Sequence, residues 1–217
     1  MNNKEIKLEI IKVAKKLYDR QMVNTNEGNV SIRNGDYVYI TPSQVCKDEL
    51  TEEMICVTDL EGNKLDGTLK PSSEIALHLH IYKLRPDVKG IVHSHAPHST
   101  AFAIARKPIV SKAYTEMIYL YDKIPVVDYG APSTPEIYKD VKTYIYQTDA
   151  FLLANHGLVT VGKTLKDAYL LTESVESIAR TLLYTRLLGG EYPLTQPDLE
   201  FLYNARKSQL DKDPITP

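Results

Sequence analysis

The dipeptide Asn34-Gly35 limits how this chain can fold more than any other pair of residues in it. It lies between Val30-Ser31-Ile32-Arg33 and Tyr37-Val38-Tyr39-Ile40, two runs with the side-chain alternation of half-buried strands. Asn-Gly between such runs specifies a tight antiparallel hairpin, because both residues tolerate the positive φ that the turn demands. A sheet containing this hairpin is not all-parallel.

The rest of the chain intermixes strands with helices. Residues 3–22 carry Ile6, Ile10, Val13, Ala14 and Leu17 at helical spacing, with lysines between them, and predict an amphipathic helix. Asn24-Thr25-Asn26-Glu27-Gly28-Asn29 is a polar turn leading into the hairpin, and Thr41-Pro42-Ser43 is the turn leaving it. A short strand is expected over Met54–Thr58, turning at Glu61-Gly62-Asn63. Lys70-Pro71-Ser72-Ser73-Glu74 then precedes a helix over Ile75–Leu84, stopped near Pro86, with a serine as its cap. Downstream, the pattern predicts a strand through Ile91–His95, a helix from Pro97 to Ala105, a helix near Ala113–Tyr121 and a strand at Ile124–Val127. Ser133-Thr134-Pro135-Glu136 announces a helix to about Tyr146, with a hydroxyl cap and a proline in its first turn. Ala150–Ala154 and Leu158–Val161 predict strands around the turn Asn155-His156-Gly157. Thr164-Leu165-Lys166-Asp167 resembles a capping box and opens the longest helix, to Leu188, ended by Gly189-Gly190. The tail from 195 is expected to hold a short helix and a mobile, proline-ended terminus. No linker, repeat or low-complexity tract divides the chain. One α/β domain over residues 1–217, built on a mixed sheet, is the expected architecture.

Composition narrows the function classes. A net charge of −2 and a pI near 6.3 give no electrostatic case for nucleic acid or an acidic membrane. The two cysteines, Cys46 and Cys56, form neither a disulfide framework nor a Cys-x-x-Cys pair, which fits a reducing compartment. The N-terminus is charged throughout, and no stretch approaches the roughly 18 apolar residues of a membrane span. A cytoplasmic globular protein is expected.

The chemistry-bearing residues begin with His93-Ser94-His95. On a strand, i and i+2 point the same way, so the two imidazoles can converge on one ion. Zinc accepts such nitrogens and needs further ligands. His156, at the exit of a predicted strand, can supply a third imidazole, and Glu74, at a helix start, a carboxylate. Each also has an ordinary reading, His156 as a surface turn residue and Glu74 as a partner of the helix dipole. A second pair, His78 and His80, falls in a predicted helix where i and i+2 face apart, although His78 lies four residues after Glu74 on one face. His98 reads as a helix-start residue. Gly28-Asn29, Thr41-Pro42-Ser43 and Ser72-Ser73 offer backbone and hydroxyl donors suited to a phosphate, and each could equally be a turn or a cap. None forms a Walker loop or a dinucleotide fingerprint.

Taken in order, N-E-G-N-V-S-I-R, I-T-P-S, K-P-S-S-E, V-H-S-H-A-P-H-S-T-A and N-H-G-L-V, followed by a long helix, resemble the class II aldolase/adducin family over roughly residues 5–190. The resemblance implies a three-layer α/β/α fold with a mostly antiparallel sheet, and one zinc ion per subunit held by Glu74, His93, His95 and His156. It implies phosphate contacts at Gly28, Asn29, Thr41, Ser43, Ser72 and Ser73. It further implies a homotetramer with sites between subunits, in which Tyr114 of a neighbour meets the aldehyde. The implied reaction is reversible cleavage of a 1-phosphorylated ketose, of the L-fuculose 1-phosphate kind, to dihydroxyacetone phosphate and a small aldehyde. Glu74 is the implied general base and a metal-stabilised enediolate the intermediate. No lysine sits in these motifs, Lys70 being nearest, so no imine route is expected. Gln44 stands where the aldolases carry glycine in the phosphate turn. Glu74 stands where the family's epimerases carry aspartate, which favours the aldolase reading. Tyr203 is a candidate for the C-terminal tyrosine that folds over the site in some members. Epimerase and dehydratase activities on related sugar phosphates are the alternatives, and a non-catalytic binding domain is the remaining one.

Overall fold

In the computed structural model, which describes residues 2–212 and 215, alternate residues of the central strands enter different apolar clusters. Val92 packs on one side of the sheet with Val30, Ile32 and Tyr39, while Ile91 packs on the other with Val38, Val159 and Val161. That two-sided burial requires a layer of helices on each face. Helix α1 (Asn3–Asp19), α3 (Pro97–Ile104) and α5 (Leu165–Leu187) cover the first face. Helix α2 (Ile75–Leu84) covers the second, together with a short 3-10 turn (Pro135–Tyr138) and α4 (Lys142–Ile145).

The described residues form ten strands: β1 (Asn29–Asn34), β2 (Tyr37–Ile40), β3 (Cys56–Asp59), β4 (Lys64–Asp66), β5 (Gly90–Ser94), β6 (Ile109–Val110), β7 (Lys123–Ile124), β8 (Val126–Val127), β9 (Ala150–Leu153) and β10 (Gly157–Gly162). Eight of them form one sheet in the order β4-β3-β2-β1-β5-β10-β9-β8, antiparallel except for the β8–β9 pair. β6 and β7 form a separate ribbon. This is the expected α/β architecture with a mixed, mostly antiparallel sheet.

Local chemistry explains most boundaries. The hairpin closes with Asn34 opposite Tyr37 and Gly35 at φ +63°. The Thr164–Asp167 box forms reciprocally, Thr164 Oγ1 accepting from Asp167 N at 3.1 Å and Asp167 Oδ2 accepting from Thr164 N at 3.1 Å. Several expectations are corrected. The first helix stops at Asp19 rather than 22, because Gln21 takes a positive φ and turns the chain. The helix expected over Ala113–Tyr121 is a single π-type turn, Met117–Tyr121. The strand over Ile124–Val127 is split at Pro125 into β7 and β8, since proline cannot donate to the ladder. The helix expected from Ser133 to Tyr146 breaks into the 3-10 turn and α4, although Thr134 caps its start as read. The tail helix α6 (Gln196–Leu210) has 15 residues, longer than expected, and docks through Leu199 and an Arg206–Tyr121 carbonyl bond of 3.2 Å. The proline-ended terminus expected to be mobile lies largely outside the described residues. No helix among the described residues is long and apolar enough to cross a membrane.

Candidate metal centre

Helix α2 and strand β1 share a periodicity that assembles the site. Residues 74, 78 and 82 repeat every four positions along the helix, a rise of roughly 6 Å. Residues 29 and 31 repeat every two along the strand, roughly 6.6 Å. The two polar stripes therefore stay in step. Asn29 Nδ2 donates to Glu74 Oε2 at 2.8 Å, and His78 Nε2 meets Asn29 Oδ1 at 2.6 Å. Ser31 Oγ lies 2.7 Å from both His78 Nδ1 and Tyr82 Oη. The Glu74 carboxylate can only accept, so Asn29 must present its amide nitrogen there and its oxygen to His78. His78 then donates from Nε2, Ser31 donates to Nδ1, and Tyr82 donates to Ser31. Every proton in this buried chain points toward Glu74.

The residue opposite Asn29 across the ladder is His93. The rings of His93, His95 and His156 meet edge-on, with centroids 4.7–5.0 Å apart. Their ligating atoms all lie within 4.8 Å of one another. His93 Nδ1 faces the Leu158 carbonyl at 3.0 Å, and His95 Nδ1 faces the Glu27 carboxylate at 3.5 Å. Each acceptor takes the Nδ1 proton and leaves the Nε2 lone pair aimed inward. Those two Nε2 atoms are 3.1 Å apart. Glu74 adds Oε2 at 3.3 Å from His93 Nε2 and Oε1 at 3.3 Å from His156 Nε2. A zinc tetrahedron with arms of about 2.0–2.1 Å has edges of about 3.3–3.4 Å. Lone pairs facing at such distances repel unless a cation lies between them, so the donor set fits a borderline divalent ion such as zinc.

Burial drives the electrostatics. Desolvation is the largest cause holding His95 below its ordinary pKa, His93 well below it, and His156 at about 4, with neighbouring imidazoles adding to the effect at His93 and His156. Burial raises Glu74, opposed by the Asn29 hydrogen bond. Neutral imidazoles at neutral pH are the form a metal needs.

Glycine is required twice around this cluster. A Cβ on Gly157 would stand 2.5 Å from the Ser94 carbonyl, 3.0 Å from His95 Cδ2 and 3.3 Å from His93 Cε1. Gly28, at φ +69°, would meet Val23 Cγ1 at 2.5 Å and the His93 carbonyl at 2.8 Å.

Two loops close over the cluster. Ser43 N donates to the Lys70 carbonyl at 3.0 Å and Ser72 N to the Thr41 carbonyl at 3.1 Å, so the I-T-P-S and K-P-S-S-E segments zip together. With Gly28 and Asn29 they line a cavity of about 180 Å³ that also includes Ser73, Glu74, His95 and His156. Thr41 does not line it; its hydroxyl is fully buried and accepts from Val30 N at 3.2 Å. Ser72 Oγ accepts from Glu74 N at 3.3 Å, and Glu74 rather than a serine occupies the cap position of α2. Gln44 adopts φ +57°, the conformation for which glycine is favoured.

Tyr114 is not at this cavity within one chain. It lines a separate cavity of about 630 Å³ with Arg20, His98, Glu173 and Arg180. Nor does His80 join the cluster, stacking instead on Tyr138 at 4.6 Å. His98 and Ser99 start α3 by donating to Glu176, from the His98 ring at 2.6 Å and from Ser99 N and Oγ at 2.8 Å each. Tyr203 lies on α6, partly exposed. Sequence reasoning missed Glu27, which neighbours the recognised Gly28-Asn29, and Lys47, which lies in a stretch with no motif; both line the cavity.

A family model described as Class II Aldolase and Adducin N-terminal domain matches residues 8–183. A protein of Methanococcus maripaludis named L-fuculose phosphate aldolase is 40% identical over 173 residues, 79% of this chain and 93% of that one. A Haemophilus influenzae protein named 3-oxo-tetronate 4-phosphate decarboxylase is 33% identical over 204 residues, 91% of this chain and 96% of that one. A solved structure of an L-fuculose 1-phosphate aldolase superposes with a TM-score of 0.86 at 29% identity, covering 95% of this chain and 98% of that one.

Proposed function

The chain belongs to the class II aldolase and adducin family, and from that premise we propose that it is a zinc-dependent aldolase. It cleaves a 1-phosphorylated ketose reversibly to dihydroxyacetone phosphate and a small aldehyde. One observation carries the reading: the lone pairs of His93, His95 and His156 converge with Glu74 at the edge lengths of a metal tetrahedron. A non-catalytic binding domain has no use for such a set.

When bound, the ion supplies Lewis-acid stabilisation of negative charge on substrate oxygens. The chain's own residues do the rest. Ser43, Ser72, Ser73 and the backbone at Gly28-Asn29 hold the phosphate, so binding energy remote from the reacting carbon orients it. In cleavage the C3–C4 bond of the ketose breaks and its electron pair remains on C3. The C4 hydroxyl gives up its proton and becomes the aldehyde carbonyl. Glu74 handles the proton at the former C3, which is C1 of dihydroxyacetone phosphate. Burial raises its pKa in the metal-free chain, and a bound cation would lower it again. The partner subunit's Tyr114 handles the proton at the aldehyde oxygen. A tetramer is part of the proposal, supported by the apolar surface left uncovered at the end of α5 and beyond it. There Leu187, Leu188 and Tyr192 are 82%, 88% and 93% exposed.

The test is metal analysis of the purified protein with a cleavage assay on several 1-phosphorylated ketoses, with and without chelator. Zinc near one per subunit, chelator-sensitive release of dihydroxyacetone phosphate and loss of both in His95→Ala are expected. A metal-free His95→Ala protein with full activity overturns the proposal. Glu74→Gln should retain metal but lose proton exchange at C1 of dihydroxyacetone phosphate. The relative named as a decarboxylase supplies the second reading, since loss of CO2 beside a carbonyl leaves the same kind of oxygen-stabilised carbanion. Product analysis separates it from cleavage, and also from the epimerase and dehydratase alternatives.

A further inference from the structure

Lys47 is 2% exposed, among the most buried large side chains of the protein. Its ammonium makes one hydrogen bond, from Nζ to the Val45 carbonyl at 3.0 Å, which leaves two of its three donors. Among the described residues no carboxylate forms an ion pair with it. It lines the cavity with Ser43, Gln44, Ser72 and Ser73. The two carboxylates in the same wall are engaged elsewhere, Glu27 with His95 and Glu74 with Asn29, His93 and His156. A buried ammonium without an anion is costly, and natural chains keep one where an anion arrives or where the group reacts. Burial depresses its pKa, which an incoming anion would reverse.

We propose that Lys47 is the cationic anchor for the substrate's phosphate, contributing the one full positive charge among otherwise neutral serine and backbone donors. The inference rests on the reading of the substrate as a phosphorylated ketose and adds the residue that selects a dianionic group at that end of the cavity. Lys47 acts through charge, with no covalent bond to the substrate.

The experiment measures binding of inorganic phosphate, and separately of unphosphorylated dihydroxyacetone, to zinc-loaded wild type and to Lys47→Met by calorimetry. A charge-assisted bond predicts phosphate binding ~10- to 100-fold weaker in Lys47→Met. Dihydroxyacetone affinity and zinc content should be unchanged, an outcome that general damage to the fold would not produce. In the cleavage assay KM should rise by a similar factor with kcat little altered. Equal phosphate affinity in the two proteins overturns the proposal. So does an adduct on Lys47 after borohydride treatment with dihydroxyacetone phosphate, which would make it an imine-forming residue. Wild type alone supplies an arm that does not depend on folding of the variant. The Lys47 Hε–Cε resonance, assigned through its own backbone amide, should shift on titration with phosphate, and an unmoved signal at saturation overturns the inference. Phosphate binding does not require turnover. A protein that binds phosphate through Lys47 but cleaves no ketose would refute the aldolase reading alone, and one that cleaves with unchanged KM after Lys47→Met would refute this inference alone.

Discussion

Replacing His78 by glutamine should change how stability depends on pH, by an amount set by the buried chain behind Glu74. His78 is completely buried, and desolvation drops its pKa to about 3. In the unfolded chain the ring titrates near 6.5. The unfolded state therefore binds a proton first as pH falls. The stability that the neutral ring contributes is fully present above 6.5 and is lost progressively toward 3. By linkage, wild type should lose ~2 kcal/mol between pH 7 and pH 5 through this residue alone, a figure nearly the same for any folded-state value well below 5. Glutamine does not titrate, and one amide cannot reach both Asn29 and Ser31 from the ring's two positions. It should cost about 1–3 kcal/mol at neutral pH for the buried partner left unsatisfied. The gap between the two proteins should then narrow by ~2 kcal/mol from pH 7 to pH 5. Urea unfolding at both pH values, with chelator present, measures it. His93, His95 and His156 titrate in both proteins and cancel in the difference, apart from the lesser effect of a charged His78 on His93. A gap unchanged between pH 7 and pH 5 would refute the assignment of His78 as a ring held neutral between Asn29 and Ser31.

Three further substitutions follow from local geometry. Gly157→Ala should abolish zinc binding and activity while leaving far-ultraviolet dichroism near wild type, because the new methyl displaces both neighbouring imidazoles; retained zinc stoichiometry would contradict it. Gln44→Gly should raise stability by ~0.5–1 kcal/mol in urea melts, the relief of a left-handed residue less glycine's extra entropy in the unfolded chain. Thr164→Ala should cost ~1 kcal/mol by removing the cap of the 23-residue helix α5, with kcat unaffected.

How much of this was legible in sequence depends on whether the signal is local. The hairpin, the Thr164–Asp167 box and the core face of α1 are written in residues three or four apart, and each forms as read. The helices expected at 113–121 and 133–146 are not formed as such. Their apolar spacing is helical, yet the first forms only a π-type turn closed by Asp122 at positive φ, and the second is interrupted between Tyr138 and Lys142, where neither a proline nor a positive φ stands. At the site, the His-x-His spacing correctly implied two convergent rings, since strand geometry alone delivers it. That Glu74 and His156 lie beside them is a property of topology, and Lys47 carries no spacing signal at all.

The role of His78 shows where the boundary falls. Its separation of four from Glu74 was visible, and so was the alternation of Asn29 and Ser31, but nothing in the chain says that this helix face lies on that strand. Once packed, the near match of about 6 Å per four helical residues to about 6.6 Å per two strand residues lets three helical side chains meet two strand side chains without strain. A helix crossing at a steep angle would have lost the second contact. The same match fixes direction: each donor points toward the carboxylate, so hydrogen-bond polarity, set as far back as Tyr82, reaches Glu74 through four bonds. If that polarity matters to the reaction, Tyr82→Phe, which removes only the outermost donor four hydrogen bonds from Glu74, should shift the pH profile of kcat more than it changes KM. A purely structural role for the chain would leave the profile unmoved and lower only the stability, by the ~1 kcal/mol of one lost hydrogen bond.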